Sequence, residues 1–169
     1  GARNRAFPAF DPSGVDFALL THAHLDHCGL LPVLSARAPA LPVYTTRATA
    51  DLLPIMLLDS AHIQAREKDR ATRHRAPAPP PLYSGTDVER AMRRVNAVPY
   101  RVEFRPHPDA RVRFLDAGHI LGSAIVEVRV REGGRERRLV FSGDLGQPAR
   151  PVVRDPETVA AADVLVVES

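Results

Sequence analysis

The segment His22-Ala-His24-Leu-Asp26-His27 places three of the chain's seven histidines and an aspartate within six consecutive residues. Side chains of an extended segment alternate between two sides, so His22 and His24 share one side and can bind a single metal ion. Asp26 and His27 follow where the chain turns, and they can serve a second ion nearby. Imidazole and carboxylate ligands without a thiolate are typical of a catalytic zinc site. A chance grouping of ordinary histidines is the alternative, and this density argues against it.

Two metal ions need more than four ligands, and two later turns supply further candidates. His119 lies in "DAGHILGSA" after the apolar run "VRFL", and Asp144 lies in "VFSGDLG" after "RLVF". Glycines on both sides of each residue allow tight turns and close backbone approach. An aspartate in a glycine-rich turn is common, so each turn alone is weak evidence. Because both turns place a ligand-type side chain directly after a strand, together they favour a shared metal site.

The rest of the chain mixes strand and helix patterns. "FALLT" (17–21) and "PVYTT" (42–46) are predicted strands, and 47–70 carries an apolar stripe typical of a helix, with Pro54 as a kink or a new start. Thr86 and Glu89 have capping-box spacing, which predicts the start of another helix. The later part is predicted to be β-structure: "RVEFRP", "ARVRFLDAG" and two alternating runs around "GG" that form a hairpin. This order predicts one layered α/β or α+β domain.

These segments resemble a known family. "HAHLDH" is similar to the His-X-His-X-Asp-His signature of the metallo-β-lactamase superfamily, and "AGHILGSA", "FSGDLG" and "VVES" are similar to its later motifs. "LLTHAHLDHCGLLP", "MLLDSAHIQ" and "DAGHILGSA" together resemble its β-CASP branch. That branch includes bacterial ribonucleases of the ribonuclease J type and the endonuclease subunit of the eukaryotic pre-mRNA cleavage and polyadenylation machinery. The resemblance runs from "FPAFDP" to "VVES".

The resemblance implies an α/β fold, the metallo-β-lactamase αββα four-layer sandwich, with two zinc ions held between its sheets. Carried over by motif, His22, His24 and His119 would bind the first zinc. Asp26 and His27 would bind the second zinc, and Asp144 would bridge the two. Asp26 would also be catalytic, because a carboxylate bound to one zinc can orient the metal-activated hydroxide. Glu168 would be an outer carboxylate that orients a histidine acting as general acid. The implied reaction is zinc-dependent hydrolysis of single-stranded RNA in RNA processing or decay.

By the same resemblance, residues 1–169 are a partial metallo-β-lactamase domain. The family has a glycine-rich strand region before the position of Gly1, and it has a β-CASP insertion and the end of the metallo-β-lactamase domain after Ser169. The missing parts would carry the acid histidine and the last ligand of the second zinc. Gly1 is not a methionine, which suggests that the chain begins inside a longer protein. We therefore expect residues 1–169 alone to be inactive and not to fold stably.

Composition bears on partners and compartment. The net charge is +3, and Lys68 is the single lysine among 23 basic residues. Arginine suits phosphate contacts, although such a bias also follows from genome composition. The expected partner is single-stranded RNA, with a homodimer as a candidate assembly. No apolar run approaches the roughly 20 residues of a membrane span. The absence of an export signal and the single Cys28 favour the cytoplasm.

Three other functions stay open at this point. They are a small-molecule hydrolase of the same superfamily acting on a thioester or lactam, a DNA-repair nuclease, and a non-catalytic scaffold subunit. The segments "DSAHIQ" and "AGHILGSA" favour the ribonuclease over the small-molecule hydrolase. Every ligand position that the chain covers holds a competent residue, which argues against the scaffold.

Overall fold

The computed structural model describes residues 10–168 and places them in two β-sheets with helices against the first sheet. Residues 1–9 and 169, including Gly1 and the first three residues of "FPAFDP", where the motif match begins, lie outside the described residues. After a 3₁₀ turn at Pro12–Gly14, the elements in chain order are β1 (Ala18–Leu19), α1 (Leu25–Cys28), α2 (Leu31–Arg37), β2 (Val43–Thr46), α3 (Arg47–Arg73), α4 (Gly85–Met92), β3 (Val95–Val98), β4 (Phe104–His107), β5 (Ala110–Asp116), β6 (Ala124–Glu132), β7 (Arg135–Phe141) and β8 (Val164–Val166).

The first sheet has the order β1-β2-β3, and its strands are parallel. Parallel neighbours need crossover connections, which α1 and α2 provide between β1 and β2, and α3 and α4 provide between β2 and β3. The helices bury Leu53, Leu57 and Val88 against this sheet. Helix α3 runs for 27 residues with Pro54 inside it, so Pro54 does not start a new segment.

The second sheet has the order β4-β5-β6-β7-β8. Strands β4 to β7 pair antiparallel, and β8 joins β7 in parallel. The hairpin predicted around Gly133 and Gly134 is confirmed as β6 and β7, with Glu132 paired to Arg135 across the turn. The long alternating strands were predictable because each has one face in the core.

The two sheets pack face to face through an apolar core. Phe114 and Val126 of the second sheet meet Tyr44 and Val98 of the first. On the outer face of the second sheet, a smaller cluster including Ile125 and Val140 is covered in part by Val159. Within residues 10–168 the layers are therefore helices, sheet and sheet, which agrees with the predicted incomplete αββα sandwich. No helix within this range is long and apolar enough to cross a membrane.

Two local predictions differ from the structure. The capping box predicted at Thr86 and Glu89 is wrong: Ser84 accepts a hydrogen bond from the Asp87 backbone N–H, and the Asp87 carboxylate accepts one from Ser84. The observed pair, Ser84 and Asp87, has the same three-residue spacing as the predicted pair. The N-cap of the helix is Ser84, two residues before Thr86. Strand β3 was not predicted, because its four residues show no apolar alternation.

Candidate metal centre

Strand direction brings the candidate ligands to one edge of the sheets. Strands β5 and β7 both run antiparallel to β6, and β8 runs parallel to β7, so the carboxyl ends of β5, β7 and β8 share an edge. His119, Asp144 and Glu168 follow these ends. The loop after β1 reaches the same edge, where the Thr21 carbonyl accepts a hydrogen bond from the Ala124 N–H at 2.9 Å. The topology therefore collects side chains that are far apart in sequence.

The first ligand group consists of His22, His24, His119 and Asp144, whose candidate ligand atoms all lie within 4.8 Å of one another. His24 Nδ1 is 3.1 Å from His22 Nε2 and 3.2 Å from His119 Nε2. Asp144 Oδ2 is 3.6 Å from His22 Nε2 and 3.3 Å from His119 Nε2. Three ring nitrogens and one carboxylate oxygen thus converge, as a four-ligand divalent site requires.

The second ligand group consists of His27, Asp144 and Glu168. His27 Nε2 is 3.3 Å from Asp144 Oδ1 and 3.7 Å from Glu168 Oε1. Sequence reasoning expected Glu168 to be an outer carboxylate, whereas the structure places it beside His27 itself. The reason is the parallel pairing of β8 with β7, reinforced where the Glu168 N–H donates to Ser142 Oγ at 3.2 Å.

Asp26 lies at the rim of the site. Its side chain is 77% exposed, and its Oδ2 is 3.7 Å from His27 Nε2. Among the described residues it belongs to neither ligand group. The short helix α1 explains this position, because it directs Asp26 and His27 differently within one turn. The other five predicted ligands are brought together.

Asp144 connects the two ligand groups. Its Oδ2 faces His22 and His119, and its Oδ1 faces His27. A carboxylate with one oxygen toward each group has the arrangement of a bridging ligand. The two groups therefore form one site with Asp144 between them.

His22 is fully buried, and its environment keeps it neutral. The pKa of His22 is lowered to about 4, mainly by burial and then by the neighbouring His27, while the Asp144 carboxylate acts in the opposite direction. Neutral imidazole is the form that binds metal. Thr21 Oγ1 lies 3.1 Å from His22 Nδ1, so an Nδ1–H that donates to this hydroxyl leaves Nε2 as the free acceptor in the first ligand group.

Two further residues hold the ligand turns: Ser123, which sequence reasoning missed, and Gly143, one of the glycines expected to allow a tight turn. Ser123 Oγ accepts hydrogen bonds from the backbone N–H groups of His119 and Ile120, at 3.0 and 3.2 Å. Gly143 has φ of +53°, and a Cβ there would lie 3.0 Å from the Thr21 Cβ. The signal for Ser123 was a hydroxyl residue four positions after His119.

The donors fit divalent metal ions. Imidazole nitrogens and carboxylate oxygens make up both ligand groups, and such donors suit zinc and its neighbours in the first transition row. The Cys28 thiol is not among them, because it donates to the Ala23 carbonyl at 3.2 Å. Burial raises the pKa of this thiol to about 12, which also disfavours the thiolate that a metal would need.

The two-sheet fold with histidine and aspartate ligands at its edge defines a metal-binding domain of the metallo-β-lactamase type. The family model described as the metallo-beta-lactamase superfamily matches residues 1–166, so the chain belongs to this superfamily. The family prediction made from the motifs is confirmed. The crystal structure of BJP-1, a subclass B3 metallo-beta-lactamase of Bradyrhizobium japonicum, shares the fold with a TM-score of 0.53 at 18% identity, over 94% of this chain and 58% of that one.

Several relatives carry names from nucleic-acid metabolism. Ribonuclease TTHA0252 of Thermus thermophilus is 38% identical over 167 residues, which are 99% of this chain and 34% of the relative. Transcription termination factor FttA of Methanocaldococcus jannaschii is 31% identical over 84% of this chain and 21% of the relative. An RNase J-like protein of the same organism is 28% identical over 96% of this chain and 33% of the relative. The chain thus spans between 21% and 34% of the length of these relatives.

Proposed function

We propose that this protein is a two-zinc phosphodiesterase that cleaves single-stranded RNA. The observation that carries the proposal is the position of Asp144, whose two carboxylate oxygens face two separate groups of metal-ligand side chains. Paired metal sites of this kind suit in-line displacement at phosphate. The names of the ribonuclease and termination-factor relatives support RNA as the substrate.

Each side chain has a proposed task. When bound, the two metals would polarise the phosphate and lower the pKa of water. His22, His24 and His119 would hold the first ion, His27 and Glu168 would hold the second, and Asp144 would be shared between them. Asp26 Oδ2, exposed at the rim beside His27, would accept a hydrogen bond from the attacking water and orient it. The orientation of a general-acid histidine by Glu168 stays a prediction.

The test is cleavage of end-labelled single-stranded RNA by the protein at its full natural length. Matched single-stranded DNA and a generic thioester serve as competing substrates. His24→Ala removes a ligand of the first group, and His107→Ala is the control. His107 ends β4, which runs antiparallel to β5, so it lies at the sheet edge opposite His119. We expect RNA cleavage to fall by about a thousandfold or more in His24→Ala and in Asp144→Ala, and to be unchanged in His107→Ala.

The outcomes separate the alternatives. RNA cleavage that depends on His24 and Asp144 supports the ribonuclease. Preference for DNA would favour a DNA nuclease, and hydrolysis of the thioester alone would favour a small-molecule hydrolase. Bound zinc without any cleavage would indicate a scaffold subunit. Full RNA cleavage by the variant that combines Asp26→Ala and Asp144→Ala would disprove the assignment of the site.

A further inference from the structure

A groove of about 480 Å³ opens directly beside the first ligand group. His119 forms part of its wall, and Gly118 and the segment after Asp144 form the rest. The volume lies in the range of pockets that hold small organic molecules, roughly 300–1,000 Å³. A molecule in the groove would be in contact with a metal-ligand side chain. The groove is therefore placed to hold the part of a substrate next to the reacting phosphate.

The floor of the groove is built from closely packed backbone. The Gly146 N–H donates to the Ala117 carbonyl at 2.8 Å, and a Cβ at Gly146 would overlap the carbonyl oxygen of Gly118. The Ala149 N–H donates to Asp155 Oδ1 at 2.7 Å, which closes the loop that carries Arg150 and Val152. The groove is thus a formed feature of the fold.

One positively charged side chain lines the groove. Arg150 donates from Nη2 to Gln147 Oε1 at 2.8 Å. Within residues 10–168 it makes no ion pair, and the nearby Asp155 carboxylate accepts from the Ala149 N–H. A guanidinium has five N–H donors arranged as a planar fork, which matches a phosphate group. Arg150 therefore keeps donors available for an anionic ligand.

Much of the remaining lining is apolar and open to solvent. Leu145 is half-exposed and Val152 is 76% exposed, and they line the groove with Pro151 and Val153. Such a surface can cover the face of a base or the edge of a ribose. The lining contains no Phe, Tyr or Trp side chain, so strong base stacking is not expected and contact should tolerate any base.

We propose that this groove holds the nucleotide next to the scissile phosphate, with Arg150 contacting the adjoining backbone phosphate. The inference rests on the proposed function, because it takes single-stranded RNA as the ligand. Arg150 contacts the backbone and not a base edge, so it contributes affinity and positioning without sequence preference.

The test measures RNA binding separately from activity. Fluorescence anisotropy of a labelled single-stranded RNA is followed with the full-length protein in EDTA, so that binding is read without metal-dependent cleavage. Arg150→Gln should weaken binding about tenfold and reduce the slope of log affinity against log salt by about 0.7, since one phosphate contact is lost. Arg150→Lys should retain most of the affinity. In cleavage assays with zinc, Arg150→Gln should raise KM more than it lowers kcat.

Arg135→Gln is the matched control. Arg135 is exposed at the start of β7, whereas Asp144 follows its end, so the two lie about 20 Å apart. Val152→Glu is a second variant that adds a negative charge to the groove at an exposed position, and it should also weaken binding. Circular dichroism checks that each variant is folded.

The results distinguish failure of the groove from failure of the function. If the wild type binds and cleaves RNA while Arg150→Gln and Val152→Glu bind as tightly as the wild type, the groove assignment is overturned and the proposed function stands. Equal losses in Arg150→Gln and Arg135→Gln would also overturn it, because they would show general charge attraction. If the wild type neither binds nor cleaves RNA, both proposals fail.

Discussion

The ring of His22 is oriented by a hydroxyl outside the ligand groups. Thr21 Oγ1 is 3.1 Å from His22 Nδ1, and Nε2 faces His24 and Asp144. Hydrogen-bond partners of this kind typically change metal affinity by about 10–100-fold. We expect Thr21→Val, which keeps the side-chain shape, to weaken zinc binding by this factor in a chelator-competition titration. Thr72→Val on α3, where Thr72 donates to the Lys68 carbonyl, is the matched control. Unchanged affinity in Thr21→Val would show that packing alone orients the ring.

Cys28 lies directly after the histidine cluster and is inert for physical reasons. It is buried, it donates to the Ala23 carbonyl at 3.2 Å, and burial raises its pKa to about 12. Since the thiolate is the reactive form, we expect iodoacetamide to leave Cys28 unmodified in the native protein and to label it fully in guanidinium chloride. Mass spectrometry measures both. Rapid labelling of the native protein would mean that the turn after His27 opens in solution.

At the level of elements, one carboxylate ties the β7–β8 connection to β5. Glu157 accepts hydrogen bonds from the Asp116 N–H at 2.8 Å and from Arg101 Nε at 2.9 Å, and its own N–H donates to the Asp116 carbonyl. Asp116 ends β5, three residues before His119. These hydrogen bonds of Glu157 with Asp116 and Arg101, called the Glu157 clamp below, therefore support both the His119 turn and the loop that lines the groove.

The Glu157 clamp should make the stability of the fold depend on pH, because its hydrogen bonds favour the ionised Glu157 carboxylate. Burial raises the pKa of Glu157, but the hydrogen bonds from Asp116 and Arg101 and the charge of Arg101 lower it below its ordinary value. An acid with a lowered pKa stabilises the fold above its unfolded-state pKa, and this contribution is lost as pH falls through the folded-state pKa. Glu157→Gln should reduce the free energy of unfolding by about 1.5 kcal/mol at pH 7, and this difference should shrink towards pH 3. Urea denaturation across pH measures it. Glu89→Gln on the exposed face of α4 should show no such dependence, and a constant deficit for Glu157→Gln would contradict the charge argument.

The sequence predicts the features that arise from neighbouring residues, and it does not predict contacts between residues far apart in the chain. The β6–β7 hairpin follows from alternation over neighbouring residues, and the ligand cluster is visible because His22, His24 and His27 stand together. The partnership of Glu157 with Asp116 spans 41 residues, and that of Thr46 with Gly122 spans 76. No local pattern encodes such contacts, since they arise only when strand order brings loop ends together.

Within residues 10–168, some sheet surfaces are buried by other elements and others are exposed to solvent. The helices enclose one face of the first sheet, and the two sheets enclose a second core. Strand β8 lies at the edge of the second sheet with its apolar side chains in solvent, Leu165 being 60% exposed. An exposed apolar edge strand favours association with other chains. The site lies at the end of this same strand, so its geometry depends on the least covered part of the described fold.

Metal binding should therefore contribute much of the stability of residues 1–169. The six side chains of the two ligand groups come from the loop after β1, from α1 and from the loops that follow β5, β7 and β8, so bound ions would connect the two sheets. A ligand at 100 times its Kd adds about 2.7 kcal/mol, which for a chain of this length corresponds to roughly 5–11 °C in Tm. We expect circular dichroism of the 169-residue chain to show a broad transition in EDTA and a sharper one, shifted upward by this amount, in zinc. His24→Ala should abolish the shift, and His107→Ala should keep it. A sharp transition at one temperature in both conditions would show that packing alone stabilises this part of the fold.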